Sequence, residues 1–76
     1  MFNPNEFKQA FETVVEVMQM GERNHDPDQW KSYPPDFHIA RAAAHWQQWL
    51  SGDQSEDHLS HACTRLMIAL TLRDVS

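Results

Sequence analysis

An all-α fold, a small three-helix bundle completed by oligomerisation, is the architecture the sequence predicts, and three observations carry it. Apolar residues recur at helical spacing in three stretches, no stretch alternates as a strand does, and the chain has only two glycines. Seventy-six residues make one domain, 1–76, with helices over about 4–20, 37–50 and 56–73 and a loop over 21–36. A core of that size supplies only about 3–5 kcal/mol. The apolar sides of the helices exceed what three short helices cover among themselves, so a homodimer or dimer of dimers is expected.

The first helix has a marked start. Asn3 as N-cap, Pro4 at the first helical position and Glu6 at N3 form a capping-box pattern, and Phe2 and Phe7 occupy the places of a hydrophobic staple. Phe7, Phe11, Val14, Val15 and Met18 then supply one apolar side, and Gly21 is read as the end. Glu12 and Glu16, one turn apart, flank that side. They form either a solvated acidic face or a pair of ligands for a divalent ion such as Mg²⁺, which prefers carboxylate oxygen.

Residues 21–36, GERNHDPDQWKSYPPD, are punctuated by Gly and Pro and read as a long connection with at most one short helical turn. Trp30 and Tyr33 gain little in a solvated linker, which points to a lid over a ligand or partner, or to Trp30 closing the base of the core. Lys31 beside them offers a point charge to a phosphate.

The second helix is expected to start at Asp36 as N-cap and to end before Gly52 at C′, burying Ile39, Ala42, Ala43, Trp46, Trp49 and Leu50. His38, Arg41 and His45 share a second stripe at i, i+3 and i+7. The third helix is expected to open at Ser55, with Glu56 and Asp57 in its first turn, as caps or as metal ligands. Its apolar side comprises Leu59, Ala62, Cys63, Leu66, Ala69, Leu70 and Leu72, so Cys63 reads as a buried thiol. His58, His61 and Arg65 lie beside it, and the turn Gly52-Asp53-Gln54-Ser55-Glu56-Asp57 adds three carboxylates where the hairpin reverses. His58-x-x-His61 lacks the i, i+4 spacing of a helical zinc pair, which argues against zinc there.

A net charge of −5 excludes broad phosphate-backbone binding, so nucleic acid is an unsuitable partner. No apolar run reaches the roughly 18–20 residues of a membrane span, and Met1-Phe2-Asn3-Pro4 lacks signal-peptide character, so a soluble, cytoplasmic chain is expected.

The order Val-Met-x-Met-Gly, Trp-Lys after a Pro-Asp loop, Ala-His-Trp-x-x-Trp-x-x-Gly-Asp and His-Leu-x-His-Ala resembles a phage-borne family, the dATP/dGTP diphosphohydrolase-like domain, related to the MazG-type all-α nucleotide pyrophosphohydrolases. The resemblance runs from about Phe7 to Leu72. It implies Mg²⁺-dependent, or Mn²⁺-dependent, cleavage of a (d)NTP to (d)NMP and pyrophosphate. In that reading His45 and His61 are catalytic, and Glu12, Glu16, Asp53, Glu56 and Asp57 hold the metal. Trp30, Lys31, Arg41, His58 and Arg65 bind the substrate. The sequence departs from the family pattern at Ala44, where Arg is favoured, at Arg65, often Asn, and in a shorter acidic turn. Its first-helix acids are also four apart rather than three. The alternative is a non-catalytic phage-type protein that holds a nucleotide or inhibits a host protein on the same scaffold, in the host cytoplasm if phage-encoded.

Overall fold

The computed structural model describes residues 1–74, so positions 75 and 76 of the expected domain lie outside the described residues. Three α-helices form the fold: α1 (Lys8–Asn24), α2 (Pro35–Leu50) and α3 (His58–Arg73). Two 3-10 turns, Pro4–Phe7 and Gln29–Ser32, precede α1 and α2, and among the described residues there is no strand. The helices α2 and α3 make the main interface as an antiparallel hairpin, and α1 lies chiefly against α3.

The chain's start follows local chemistry. Asn3 accepts a hydrogen bond from the Asn5 backbone N–H at 3.0 Å, and the Phe2 and Phe7 rings meet at 4.9 Å. The staple forms, but on a 3-10 turn that leads into α1. Gly21 does not end α1, which runs on to Asn24 and stops ahead of Asp26-Pro27. Gly21 has no positive φ, so its cost is the modest one of any helical glycine, and the real stop comes with the proline and the restriction on the residue before it. The second helix begins at Pro35, whose ring presets the helical φ, with Pro34 at the N-cap; Asp36 sits inside the first turn instead of capping it.

The α2–α3 turn is a Schellman motif. Gly52 takes φ +86°, its N–H donates to the Trp49 carbonyl at 3.1 Å, and the Asp53 N–H donates to the Gln48 carbonyl at 3.1 Å. The cap of α3 is Asp57, not Ser55: its carboxylate accepts from the Ser60 N–H at 3.2 Å and the Ser60 hydroxyl at 2.6 Å. Ser55 is engaged elsewhere, donating through N–H and Oγ to Asp53.

The two glycines give a paired expectation. A Cβ at Gly21 would meet nothing within 4 Å, so Gly21→Ala should stabilise by up to about 1 kcal/mol through helix propensity. Gly52→Ala meets equally open space but at a left-handed φ, and should destabilise by about 1–2 kcal/mol. Urea unfolding of both variants measures the opposite signs.

The core differs from the expectation in its orientation. Val14, Ala42, Ala62, Ile68 and Ala69 are the buried apolar residues, and His38, His58 and Thr64 are buried with them. On α2 the expected inner residues Ile39, Ala43, Trp46, Trp49 and Leu50 are exposed, and on α3 so are Leu59, Cys63, Leu66 and Leu70. Cys63 is therefore an exposed thiol within a single chain. The hairpin closes on its alanine and histidine stripe because Ala42, Ala62 and Ala69 let the backbones approach, while the histidines bond to one another and to Arg65 across the gap. A wide apolar stripe shows that a surface needs covering without saying which neighbour covers it.

Candidate functional site

Two features adjoin at the hairpin: a cleft and a histidine cluster. The cleft, of about 480 Å³, is walled by the end of α1, the connecting loop and the faces of α2 and α3 that look towards α1. Trp30, Tyr33 and Phe37 give it aromatic walls; Arg41, His61 and Arg65 bring cationic and titratable groups; Glu22 and Asp26 also line it. The Tyr33 and Phe37 rings stack at 4.4 Å and 17°, because the Pro34-Pro35 start of α2 places them one above the other. A cavity of this size suits a nucleotide-sized ligand, as such pockets run from roughly 300 to 1,000 Å³.

His38 builds one wall from inside. It is fully buried, and its Nε2–H donates to the Trp30 carbonyl at 2.9 Å while its Nδ1 accepts from Arg65 Nη1 at 3.0 Å. A carbonyl only accepts and a guanidinium only donates, so both partners select the same neutral tautomer. His38 thus ties the loop to α2 and aims Arg65. Burial first, and then the Arg41 guanidinium, pull Arg65 below its ordinary value. It nevertheless stays charged at any physiological pH.

Behind the cleft, His45 and His58 bridge α2 and α3 with their Nδ1 atoms 2.9 Å apart. His58 Nε2–H donates to Asp53 Oδ2 at 2.9 Å, which leaves its Nδ1 as the acceptor and gives the bridging proton to His45. Glu56 Oε1 lies 3.3 Å from His45 Nδ1 and 3.5 Å from His58 Nδ1. Asp53 is held at about 2, chiefly by the Ser55 N–H and then by His58 and the Ser55 hydroxyl. His45 is lowered, first by burial and then by His61, against a smaller raising effect of Glu56. The His61 ring, centred 5.1 Å from that of His45, also lines the cleft and so joins the two features.

This aromatic and cationic cleft beside a histidine cluster belongs to a chain that a family model, described as dATP/dGTP diphosphohydrolase, N-terminal, matches over residues 6–75. The chain is a member of that family. No curated protein and no solved structure matches it.

Within this dATP/dGTP diphosphohydrolase N-terminal domain the residues singled out from sequence fall into three places. Trp30, Arg41, His61 and Arg65 meet in the cleft. His45, Glu56 and His58 meet in the cluster, with Asp53 behind His58. The rest lie apart: Glu12 and Glu16 are exposed on α1, Asp57 is the cap of α3, and Lys31 is exposed, paired with Asp28 at 3.1 Å and 5.3 Å from the centre of the Trp30 ring. Trp30 is half-buried, lines the cleft and also flanks the groove between α1 and α3, so the loop both covers a cavity and closes the core. Sequence reasoning placed His38 on the right stripe but gave it no part in the site. Its signal was its phase with Arg41 and His45, which puts it on the inner face.

Proposed function

We propose that this domain binds a deoxynucleoside triphosphate in the cleft and hydrolyses it between the α- and β-phosphates, giving the monophosphate and pyrophosphate. The observation that carries the reading is the pair of guanidinium groups, Arg41 and Arg65, lining one cavity with no carboxylate partner among the described residues. In a chain of net charge −5, two guanidinium groups on one cavity, neither in an ion pair with the Glu22 and Asp26 that also line it, keep donors available to an anion. Guanidinium forks match phosphate oxygens two at a time. Trp30, Tyr33 and Phe37 offer flat apolar walls to a base, and the family's description supports a purine. In this reading His61, which lines the cleft, takes a proton from an attacking water, with His45 behind it.

In this reading Mg²⁺, or Mn²⁺, arrives as the counter-ion of the triphosphate and is part of the substrate. A resident Mg²⁺ does not suit the donors that the fold brings together. That ion asks for an octahedral shell of oxygens, and the cluster offers two imidazole nitrogens and one carboxylate. Glu12, Glu16, Asp53 and Asp57 form no further group of three with ligand atoms in mutual reach among the described residues. The substrate implies the cytoplasm, that of a host if the chain is phage-encoded. A second copy of the chain is the partner proposed for the exposed apolar face of α2 and α3.

Pyrophosphate release from dATP, dGTP, dCTP and dTTP, with Mg²⁺ or Mn²⁺, tests the activity, and the two purines are expected to react fastest. Nucleotide binding without pyrophosphate would favour the second reading, a binding protein without turnover. Its specific support is the breadth of the exposed apolar face, which also fits a host protein. Neither binding nor release would remove both nucleotide readings.

A further inference from the structure

We infer that His45, Glu56 and His58 form a binding site for a nitrogen-preferring divalent transition ion of the Zn²⁺ and Co²⁺ class, seated across the α2–α3 hairpin. The inference goes beyond the nucleotide reading and shares only His45 with it, since Glu56 and His58 have no part there. Its first support is the shape of the donor triangle: Nδ1 to Nδ1 is 2.9 Å, and Glu56 Oε1 lies 3.3 and 3.5 Å from the two nitrogens. An ion bound at about 2.0–2.1 Å, with ligands set roughly 90–109° apart, needs neighbouring donors about 2.9–3.4 Å from each other. The triangle therefore has the dimensions of one face of a coordination polyhedron, and the ion needs shifts of only tenths of an ångström.

The second support is the orientation of the donors. His58 is 2 % exposed, and its outward nitrogen is committed to Asp53, which is itself held by the Ser55 N–H and hydroxyl. A carboxylate that takes the far N–H of an imidazole fixes the tautomer whose other nitrogen carries the free lone pair, the usual arrangement behind a metal-bound histidine. That lone pair points at His45 Nδ1 and at Glu56. Without an ion, one proton sits between the two imidazoles. On binding, the proton on His45 Nδ1 leaves to solvent and Nε2 takes one up, so both Nδ1 lone pairs donate to the ion and His45 stays neutral.

Charge and chemistry then select the ion. Two imidazoles favour Zn²⁺, Co²⁺ or Ni²⁺ over Mg²⁺ and Ca²⁺. The N-terminal dipole of α3 opposes a cation at His58, and the carboxylates of Asp53, Glu56 and the cap Asp57 offset it. With one ligand from α2, one from the turn and one from α3, the ion would staple the hairpin, with coordination positions left for water.

The test uses the full chain, stripped of metal by a chelator and free of nucleotide, so that its outcome does not depend on the proposed hydrolysis. Calorimetric titration with Zn²⁺, and visible absorption with Co²⁺, should give about one ion per chain and a higher melting temperature, with no shift from millimolar Mg²⁺. Glu56→Gln, at an exposed position, and His45→Gln should each weaken binding by at least about tenfold, and Asp53→Asn by about ten- to a hundredfold through the orientation of His58. If His45→Gln fails to fold, Glu56→Gln still decides, because its site is on the surface. Absent Zn²⁺ binding, an equal response to Mg²⁺, or unchanged affinity in Glu56→Gln, as an adventitious ion on exposed His25 would give, overturns the inference.

Discussion

Replacing Arg41 with Gln is expected to weaken dNTP binding by roughly 10- to 150-fold while leaving the unfolding curve close to that of the wild type. The range follows from the roughly 1.5–3 kcal/mol of a hydrogen bond to a charged group, with about 1.4 kcal/mol per tenfold in affinity. Arg41 is exposed, so its loss removes no packing of consequence. Arg65→Gln should weaken binding as much and also cost stability, on the order of 1–3 kcal/mol, because buried His38 Nδ1 loses its donor. The contrast separates a phosphate contact from a structural one: two variants with similar loss of affinity and different midpoints in urea. Titration of a fluorescent dNTP analogue at two salt concentrations reads the first, and a smaller salt dependence in both variants is expected. Unchanged affinity in Arg41→Gln would remove the anion site from the cleft.

His38→Phe offers a check on how the site is held, since Arg65 and Trp30 both depend on that ring. A positioning role predicts weaker dNTP binding although Arg41 and Arg65 are both retained.

What could be read from the sequence was local. The staple of Phe2 on Phe7, the C′ glycine at Gly52 and the three helices depend on neighbours a few residues apart, and each formed. The helix α1 runs past Gly21 because a single helical glycine costs only about 1 kcal/mol, which nearby residues do not reveal as too little to stop it. The start of α3 moved from Ser55 to Asp57 because two oxygen acceptors competed for neighbouring donors, and Ser55 served Asp53 instead.

The site was legible only as a stripe. Within α3 the eye pairs His58 with His61, three apart, and that spacing argues against a shared ion. The structure instead pairs His58 with His45, thirteen residues away and on another helix, a relation set by how the hairpin closes. Which side of α2 faces inward was equally hidden. Large apolar residues at Ile39 and Trp46 point inward by ordinary patterning, yet the inner side carries His38, Ala42 and His45, and no rule of helical period chooses between them.

Charging that outer side, with Trp46→Glu and Leu66→Glu together, is expected to weaken self-association by on the order of a thousandfold, the consequence of burying carboxylates at several kcal/mol each. Leu59, Cys63, Leu66 and Leu70 follow one another at i, i+4, i+7 and i+11 on the side of α3 away from Thr64 and Ile68, which face α1. Ile39, Trp46 and Leu50 repeat the pattern on α2, with exposures of 47, 49 and 64 %. One face of the hairpin is thus covered by α1 and the other is bare. Each Leu or Trp taken fully out of water stabilises by about 1.5–3 kcal/mol, and several together offset the roughly 4–15 kcal/mol cost of association. Among the described residues the buried apolar core of one chain is five small or medium residues, three of them alanine, a small core for a single chain. A second copy laid against the bare face would supply the missing core, so the melting temperature should rise with protein concentration. Cys63 lies on that face, and its reaction with a thiol reagent should be fast in the charged variant and slow in concentrated wild type. A wild-type chain that light scattering shows to be a folded monomer at micromolar concentration, with Cys63 labelled at the rate of a free thiol, would rule out the second copy.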